Sequence, residues 1–205
     1  MKPTTLVQLF FTPTQGWKGL MQSQPSIHQL YMLHVIPFAL IPPLMIYFSG
    51  KHHGDALFDL IHLIPDNRII IVSIAFFLVQ LVVVPVMASI VRQLAEVAEI
   101  HPTYRQAFIL AAVAPTPLWM APVFLVIPDL LVNIGITSLA MMASAGFIYY
   151  GIPVVFEIKE KGHALLFFGA VLMAGATAWG FLMVCTLMVW GSVQNLQFAA
   201  ASVGT

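Results

Sequence analysis

A cluster of histidines and aspartates between the first two apolar segments is the most ligand-like group in the sequence. Its members are His52, His53, Asp55, Asp59, His62 and Asp66. Carboxylates and imidazoles one helical turn apart can converge on a divalent cation. The opposite side of the same helix is apolar, with Leu57, Phe58, Ile61 and Ile64. We interpret the pattern as the solvated face of an interfacial helix on the outer side, and keep these residues only as candidate metal ligands.

A threonine between two prolines, at Pro115, Thr116 and Pro117, is the second unusual group. Each proline lacks an N–H and leaves a carbonyl one turn upstream without its helical partner. Within a membrane such carbonyls must be satisfied by a neighbouring helix, by Thr116 or by water. Broken helices of this kind line substrate sites in transporters, and they also occur as packing kinks. We therefore predict a functional or structural kink here.

Two histidines, His28 and His34, straddle the start of the first apolar segment. An ionisable side chain inside a membrane span is often functional because it needs a partner. A neutral imidazole at the interface costs little, however, and Tyr31 lies beside it. We favour an ordinary interfacial belt over a functional site for both histidines.

The sequence contains none of the common catalytic motifs. There is no paired carboxylate, Ser-His-Asp arrangement, HExxH or glycine-rich phosphate loop. The single cysteine, Cys185, has no nearby histidine, and the net charge is zero, which gives no basic surface for nucleic acid. We predict a protein that is not an enzyme, uses no cofactor and binds no nucleic acid.

The composition identifies the elements that carry these groups. Hydrophobic residues make up 60% of the chain and charged residues 8%, whereas soluble domains carry roughly a quarter charged residues. A membrane-spanning helix needs about 20 apolar residues. Five segments qualify: Leu30–Phe48, Ile69–Val91, Gln106–Ile127, Leu130–Tyr150 and Ala164–Trp190. We predict an all-α polytopic membrane bundle of about five transmembrane helices with short interfacial helices.

The connections between these spans set further expectations. Only Pro128 and Asp129 separate spans three and four, which predicts a tight antiparallel hairpin. Residues 1–29 form an amphipathic amino-terminal segment, with Trp17 expected at the lipid headgroups. The five spans fill residues 30–190, and residues 191–205 form a tail.

The loop charges predict the orientation. Lys2, Lys18, Arg92, Arg105, Lys159 and Lys161 fall on one side, six in all, whereas Lys51 and Arg68 fall on the other. By the positive-inside rule the amino terminus and residues 1–29 are cytoplasmic, and the carboxyl-terminal tail is external.

The cytoplasmic side offers a candidate surface for a protein partner. Span two continues past the membrane, where Arg92 and Glu96 can pair four residues apart. Span four ends in Tyr150 and Gly151, and a charged turn follows that contains Lys159. We predict partner binding by these residues.

Small residues recur along span five at Ala170, Ala174 and Ala178. Such spacing lets two helices approach closely. We favour packing within the chain and keep a homo-oligomer through span five as the alternative.

Several motifs, taken in order, resemble one known family. Their residues are Leu9-Phe10 with Pro13, Thr116-Pro117, Pro128, and Tyr149 with Gly151-Ile152-Pro153. The chain resembles the Ypt-interacting-protein (YIP) domain family, in particular its small bacterial inner-membrane members. The resemblance implies a membrane-embedded domain with a cytosolic amino terminus. Eukaryotic members are linked to Rab-type GTPases and vesicle traffic through a long polar amino-terminal region, whereas about thirty residues precede span one here.

The sequence therefore predicts the function only in general terms. The resemblance implies a non-enzymatic, membrane-organising or scaffold protein in a bacterial inner membrane, with the lipid bilayer and a cytoplasmic protein as partners. The alternative is a small transporter or channel with a path beside the proline-broken third span.

Overall fold

The computed structural model describes residues 3–52 and 66–203, and every regular element in these ranges is a helix. Five helical segments are long and apolar enough to cross a bilayer. We name them spans one to five: Ile27–Ser49, Ile69–Val97, Tyr104–Val126, Leu130–Val155 and Lys161–Thr186. The predicted all-α membrane bundle is confirmed.

Two short helices precede the spans. Helix α1 covers Pro3–Phe11 and helix α2 covers Pro13–Ser23. They pack on each other, and α2 packs on span four. Trp17 is fully buried, which differs from the expected headgroup position because the bundle itself supplies the apolar surface that Trp17 covers.

Span one stays helical through three prolines. It begins at Ser26, whose side chain forms a reciprocal capping box with Gln29. An α-helical turn, Ile27–Leu30, leads into a π-helical segment, Tyr31–Val35, and then into an α-helix, Ile36–His52. Pro42 and Pro43 lie inside that last helix without ending it.

Spans two and three are joined at a well-capped turn. Span two belongs to a helix that covers Asp66–Val97. Span three begins after a capping box between Thr103 and Gln106 and consists of three pieces. These are an α-helix Tyr104–Val113, an α-helix Thr116–Met120 and a 3₁₀-helix Ala121–Val126.

Spans three and four form the predicted antiparallel hairpin. The Asp129 carboxylate accepts the Val132 N–H at 3.0 Å and so caps the helix Leu130–Val155 that forms span four. The last helix covers Lys161–Val203, so helical geometry continues through most of the predicted tail.

The two ends of the bundle differ in composition and packing. We call the end with α1, α2 and the connections 98–103 and 156–160 the polar end, and the end with the 127–129 turn the hairpin end. Span two contacts spans one, three and five, and span four contacts spans three and five. Much of the buried core lies toward the polar end, where Leu9, Trp17 and Leu20 join residues of spans three and four.

Candidate functional site

A buried histidine joins span one to the break in span three. The Nε2 atom of His34 lies 3.0 Å from Oγ1 of Thr116. His34 is 1% exposed and Thr116 is fully buried. The prediction that His34 belongs to an interfacial belt is wrong, because the π-helical segment turns this side chain into the contact between two spans.

The hydrogen bonds of Thr116 fix the direction of this contact. Its hydroxyl donates to the Val113 carbonyl at 2.6 Å. A hydroxyl has one proton, so Thr116 Oγ1 accepts a hydrogen bond from His34 Nε2–H. The Nδ1 atom of His34 is then an acceptor, and it has no hydrogen-bond partner among the described residues.

The Thr116 hydroxyl also repairs the backbone at the kink. In a continuous α-helix the Val113 carbonyl would accept the N–H of residue 117, which is a proline and has none. The threonine side chain supplies the missing donor. A hydroxyl immediately before Pro117 therefore allows span three to break without leaving this carbonyl unpaired in the membrane.

Prolines in spans one and two also leave backbone carbonyls without a helical donor, and side chains of the neighbouring span supply the missing hydrogen bonds. Pro85 deprives the Leu81 carbonyl of its helical donor, and the Tyr31 hydroxyl donates to that carbonyl at 2.9 Å. Pro43 does the same to Ala39, whose carbonyl accepts the Gln80 side-chain amide at 3.3 Å. Both bonds connect spans one and two. The carbonyls that the prolines leave without a donor therefore take part in contacts between helices.

A cavity of about 430 Å³ lies among the five spans. Pro115 borders it, whereas Thr116 and Pro117 do not, because the Thr116 side chain faces His34. Among the described residues that line the cavity, none is Asp, Glu, Lys, Arg or His. The break in span three thus has two sides, one packed against span one and one next to an uncharged cavity.

The wall of this cavity is almost entirely apolar, and the cavity is partly open rather than sealed. Contact of such a wall with water would be unfavourable. Apolar cavities exclude water unless several polar groups converge in them. The physical expectation is an apolar occupant.

The polar end is built around a close approach of Trp17 to Gly151. A Cβ on Gly151 would lie 2.8 Å from the Trp17 ring carbons Cε2 and Cζ2 and 2.9 Å from Leu110 Cδ1. Nearby, the Phe10 and Phe147 rings meet edge to face with centroids 5.0 Å apart. Trp17 Nε1 has no hydrogen-bond partner among the described residues, so packing holds the indole in place.

Side-chain bonds to helix ends complete the polar end. Gln106 donates to the Val155 carbonyl at 3.0 Å, at the end of span four. His163 Nε2 lies 2.7 Å from the Ala98 carbonyl, so its ring nitrogen donates to the turn after span two. At this end one bond therefore joins span three to span four, and the other joins span five to the turn after span two.

Comparison with known proteins places the whole bundle in one family. The family model for the Yip1 domain matches residues 7–191, from α1 to beyond span five. The chain belongs to the Yip1 domain family. The expected resemblance to the YIP domain family is confirmed, whereas its narrower form, a small bacterial inner-membrane member, stays a prediction. The matched range of the Yip1 domain includes most of the α1–α2 hairpin. No curated protein and no solved structure matches the chain.

Of the residues of the Yip1 domain that were predicted to bind a partner, some are exposed and one is buried. Arg92 and Glu96 form the predicted ion pair, with Nε and Oε1 3.0 Å apart and both side chains about half exposed. Tyr150 and Lys159 are exposed as well. Gly151 is removed from this surface, because Trp17 covers it completely.

The region of small residues in span five, which includes Ala170, Ala174 and Ala178, was predicted to allow close helix packing, but part of it faces empty space. A Cβ added at Gly175 would meet no atom within 4 Å. Ala178 and Gly175 both line the cavity instead. At Gly175 and Ala178 span five therefore faces the cavity, and oligomerisation through span five stays a prediction.

The candidate metal ligands fall mostly beyond what the structure describes. His53, Asp55, Asp59 and His62, with the predicted outer interfacial helix, lie outside the described residues. Within residues 3–52 and 66–203, no group of three His, Cys, Asp or Glu side chains is placed to hold a metal ion. Metal binding by the Yip1 domain stays a prediction.

The positions predicted from the sequence are wrong for two important side chains. Trp17 was assigned to the headgroups and His34 to the interface, whereas both are buried in contacts between segments far apart in sequence. The sequence does contain a signal for the burial of His34. An imidazole within an apolar segment needs a polar partner, and Thr116 offers a side-chain hydroxyl within another apolar span.

Proposed function

We propose that this Yip1-domain protein is a non-enzymatic membrane-organising scaffold that binds a protein partner at its polar end. The proposal rests chiefly on the packing of Trp17 against Gly151. It fixes the α1–α2 hairpin on the bundle, so the surface outside the membrane has a defined shape. A preformed surface avoids part of the ordering cost of association.

The charges at the polar end support this assignment. The exposed side chains there include Lys18, Arg92, Glu96, Glu157, Lys159 and Glu160. Interspersed charges of both signs favour selection of one complementary partner over nonspecific attraction. The candidate contact residues are Arg92, Glu96, Tyr150 and Lys159.

We further propose that the polar end faces the cytoplasm of a bacterial cell, with the bundle in the inner membrane. Six Lys and Arg residues in the sequence fall on this side and two on the other. The carboxyl terminus is then external. A cytoplasmic polar end is accessible to soluble proteins that assemble on the membrane.

Site-specific photocrosslinking in intact membranes tests partner binding. A photoreactive amino acid replaces Lys159 at the polar end or Leu131 at the hairpin end, where Leu131 is 79% exposed. We expect one discrete protein adduct from position 159 and none from position 131. Equal adduct patterns from the two positions would contradict a dedicated partner surface.

The alternative function is a small transporter or channel beside span three. The cavity that borders Pro115 favours it. Purified protein in liposomes decides between the two functions. Scaffold function predicts no solute flux above that of protein-free vesicles, whereas flux that is lost in Gly175→Leu, which places a side chain in the cavity, would favour the transporter.

A further inference from the structure

The cavity is lined by residues of all five spans, and spans four and five form its wall on one side. Near the connection 156–160 the two spans touch through aromatic rings. Phe156 and Phe167 have centroids 5.2 Å apart, and Tyr149 and Phe168 have centroids 5.4 Å apart. Beyond these rings, residues of span five from Val171 to Met183 line the cavity.

The cavity opens toward the surroundings of the bundle at mid-span. Met141 of span four and Ala176 of span five both line it, and both are exposed. At this position along the helices the surroundings are the hydrocarbon of the bilayer. The medium with access to the cavity is therefore lipid.

The shape of the cavity is elongated along the helices. Its wall on span five extends from Val171 to Met183, which is about 18 Å at 1.5 Å per residue. One leaflet contributes about 15 Å, half of the hydrocarbon core. The wall on span four extends further, from Asn133 to Ile148, or about 22 Å, so the cavity is long enough for a hydrocarbon chain that crosses one leaflet.

The chemistry of the wall selects an uncharged occupant. Charged side chains are absent from the described part of the cavity wall, and its few polar groups include Asn133 and Thr137 toward the hairpin end. A charged headgroup would lose its hydration in such a site, whereas a hydrocarbon chain would not. Gln80 and Ser144 also line the cavity, at mid-span, whereas Asn133 and Thr137 lie at the end nearer the membrane surface, where the glycerol-ester region of a lipid resides.

We propose that the cavity among the five spans, which opens between spans four and five, binds one hydrocarbon chain of a membrane glycerolipid. The chain lies along Val171–Met183, and its ester region is next to Asn133 and Thr137. The lipid enters between Met141 and Ala176 from the leaflet at the hairpin end. This assignment is independent of partner binding at the polar end.

A crosslinking map on the unmodified protein tests the assignment. The protein is reconstituted in vesicles of phosphatidylethanolamine and phosphatidylglycerol that contain a phosphatidylethanolamine with a diazirine in one acyl chain. We expect adducts on Val84 and Leu110, which line the cavity and are at most 3% exposed. Adducts confined to outward residues such as Leu166 and Met173 would overturn the proposal.

Two glycines of span five provide a matched pair of variants. A Cβ at Gly175 or at Gly180 would meet no atom within 4 Å, but only Gly175 lines the cavity. We expect Gly175→Leu to lower the yield of adducts on Val84 and Leu110 at least fivefold, and Gly180→Leu to leave it unchanged. Equal yields in the two variants would contradict the proposal, and the map on the unmodified protein still decides if Gly175→Leu does not fold.

Discussion

The Trp17 indole covers Gly151 so closely that a Cβ at residue 151 would lie 2.8 Å from two of its ring carbons. This relationship joins the amino-terminal hairpin to span four and to Leu110 of span three. Trp17 is fully buried there, so its burial contributes to the stability of the whole bundle rather than to anchoring in headgroups.

Gly151→Ala should therefore destabilise the protein. Insertion of a methyl group into a packed contact costs about 1–3 kcal/mol, which lowers the Tm in detergent. Gly146→Ala in the same helix is the control, since a Cβ there meets no atom within 4 Å. We expect Gly146→Ala to keep or slightly raise the Tm. A Tm of Gly151→Ala equal to that of Gly146→Ala would show that the contact is not close.

The kink in span three should depend on the hydroxyl of Thr116. Thr116→Val removes the donor to Val113 and the acceptor for His34, and each buried group left unpaired costs about 1–3 kcal/mol. Thr116→Ser keeps the hydroxyl and should retain most of the stability. The measurement is the free energy of unfolding in micelles, and equal losses in Val and Ser variants would contradict the role of the hydroxyl.

The Tyr31 hydroxyl should matter only while Pro85 is present. Tyr31→Phe removes the donor to the Leu81 carbonyl and should cost about 1 kcal/mol. Pro85→Ala restores a backbone N–H one turn after Leu81, so Tyr31→Phe should cost much less in that background. The double-mutant cycle measures the difference. Equal costs in the two backgrounds would refute the compensation.

The orientation can be checked with single cysteines. In a Cys185→Ala background, Pro128→Cys at the hairpin end should react with a membrane-impermeant maleimide added to intact cells, and Lys159→Cys should not. Both positions are exposed. The opposite labelling pattern would place the polar end outside.

The sequence predicted the spans well because their signal is local. Apolar length alone identifies a helix that can cross a membrane, and Pro128-Asp129 is too short for anything but a tight hairpin. The pairing of Arg92 with Glu96 was also predictable, since the two residues lie one turn apart on one helix.

The contacts between distant segments were not predictable from the sequence. His34 and Thr116 are 82 residues apart, and the sequence indicates that a buried imidazole needs a polar partner without indicating which residue supplies it. The fit of Trp17 on Gly151 depends on how the α1–α2 hairpin folds back, which hydrophobic periodicity does not determine. The cavity depends on how all five spans come together, which a stripe of small residues on span five does not reveal.

Reciprocal exchange of Arg92 and Glu96 tests the central claim most directly. Arg92→Glu with Glu96→Arg keeps the ion pair of the exposed helix, which contributes only about 0.5 kcal/mol, but reverses the charge pattern that a partner meets. With the crosslinker at Lys159, we expect the partner adduct to fall at least tenfold while the Tm stays unchanged. An undiminished adduct at an unchanged Tm would contradict partner recognition at the polar end.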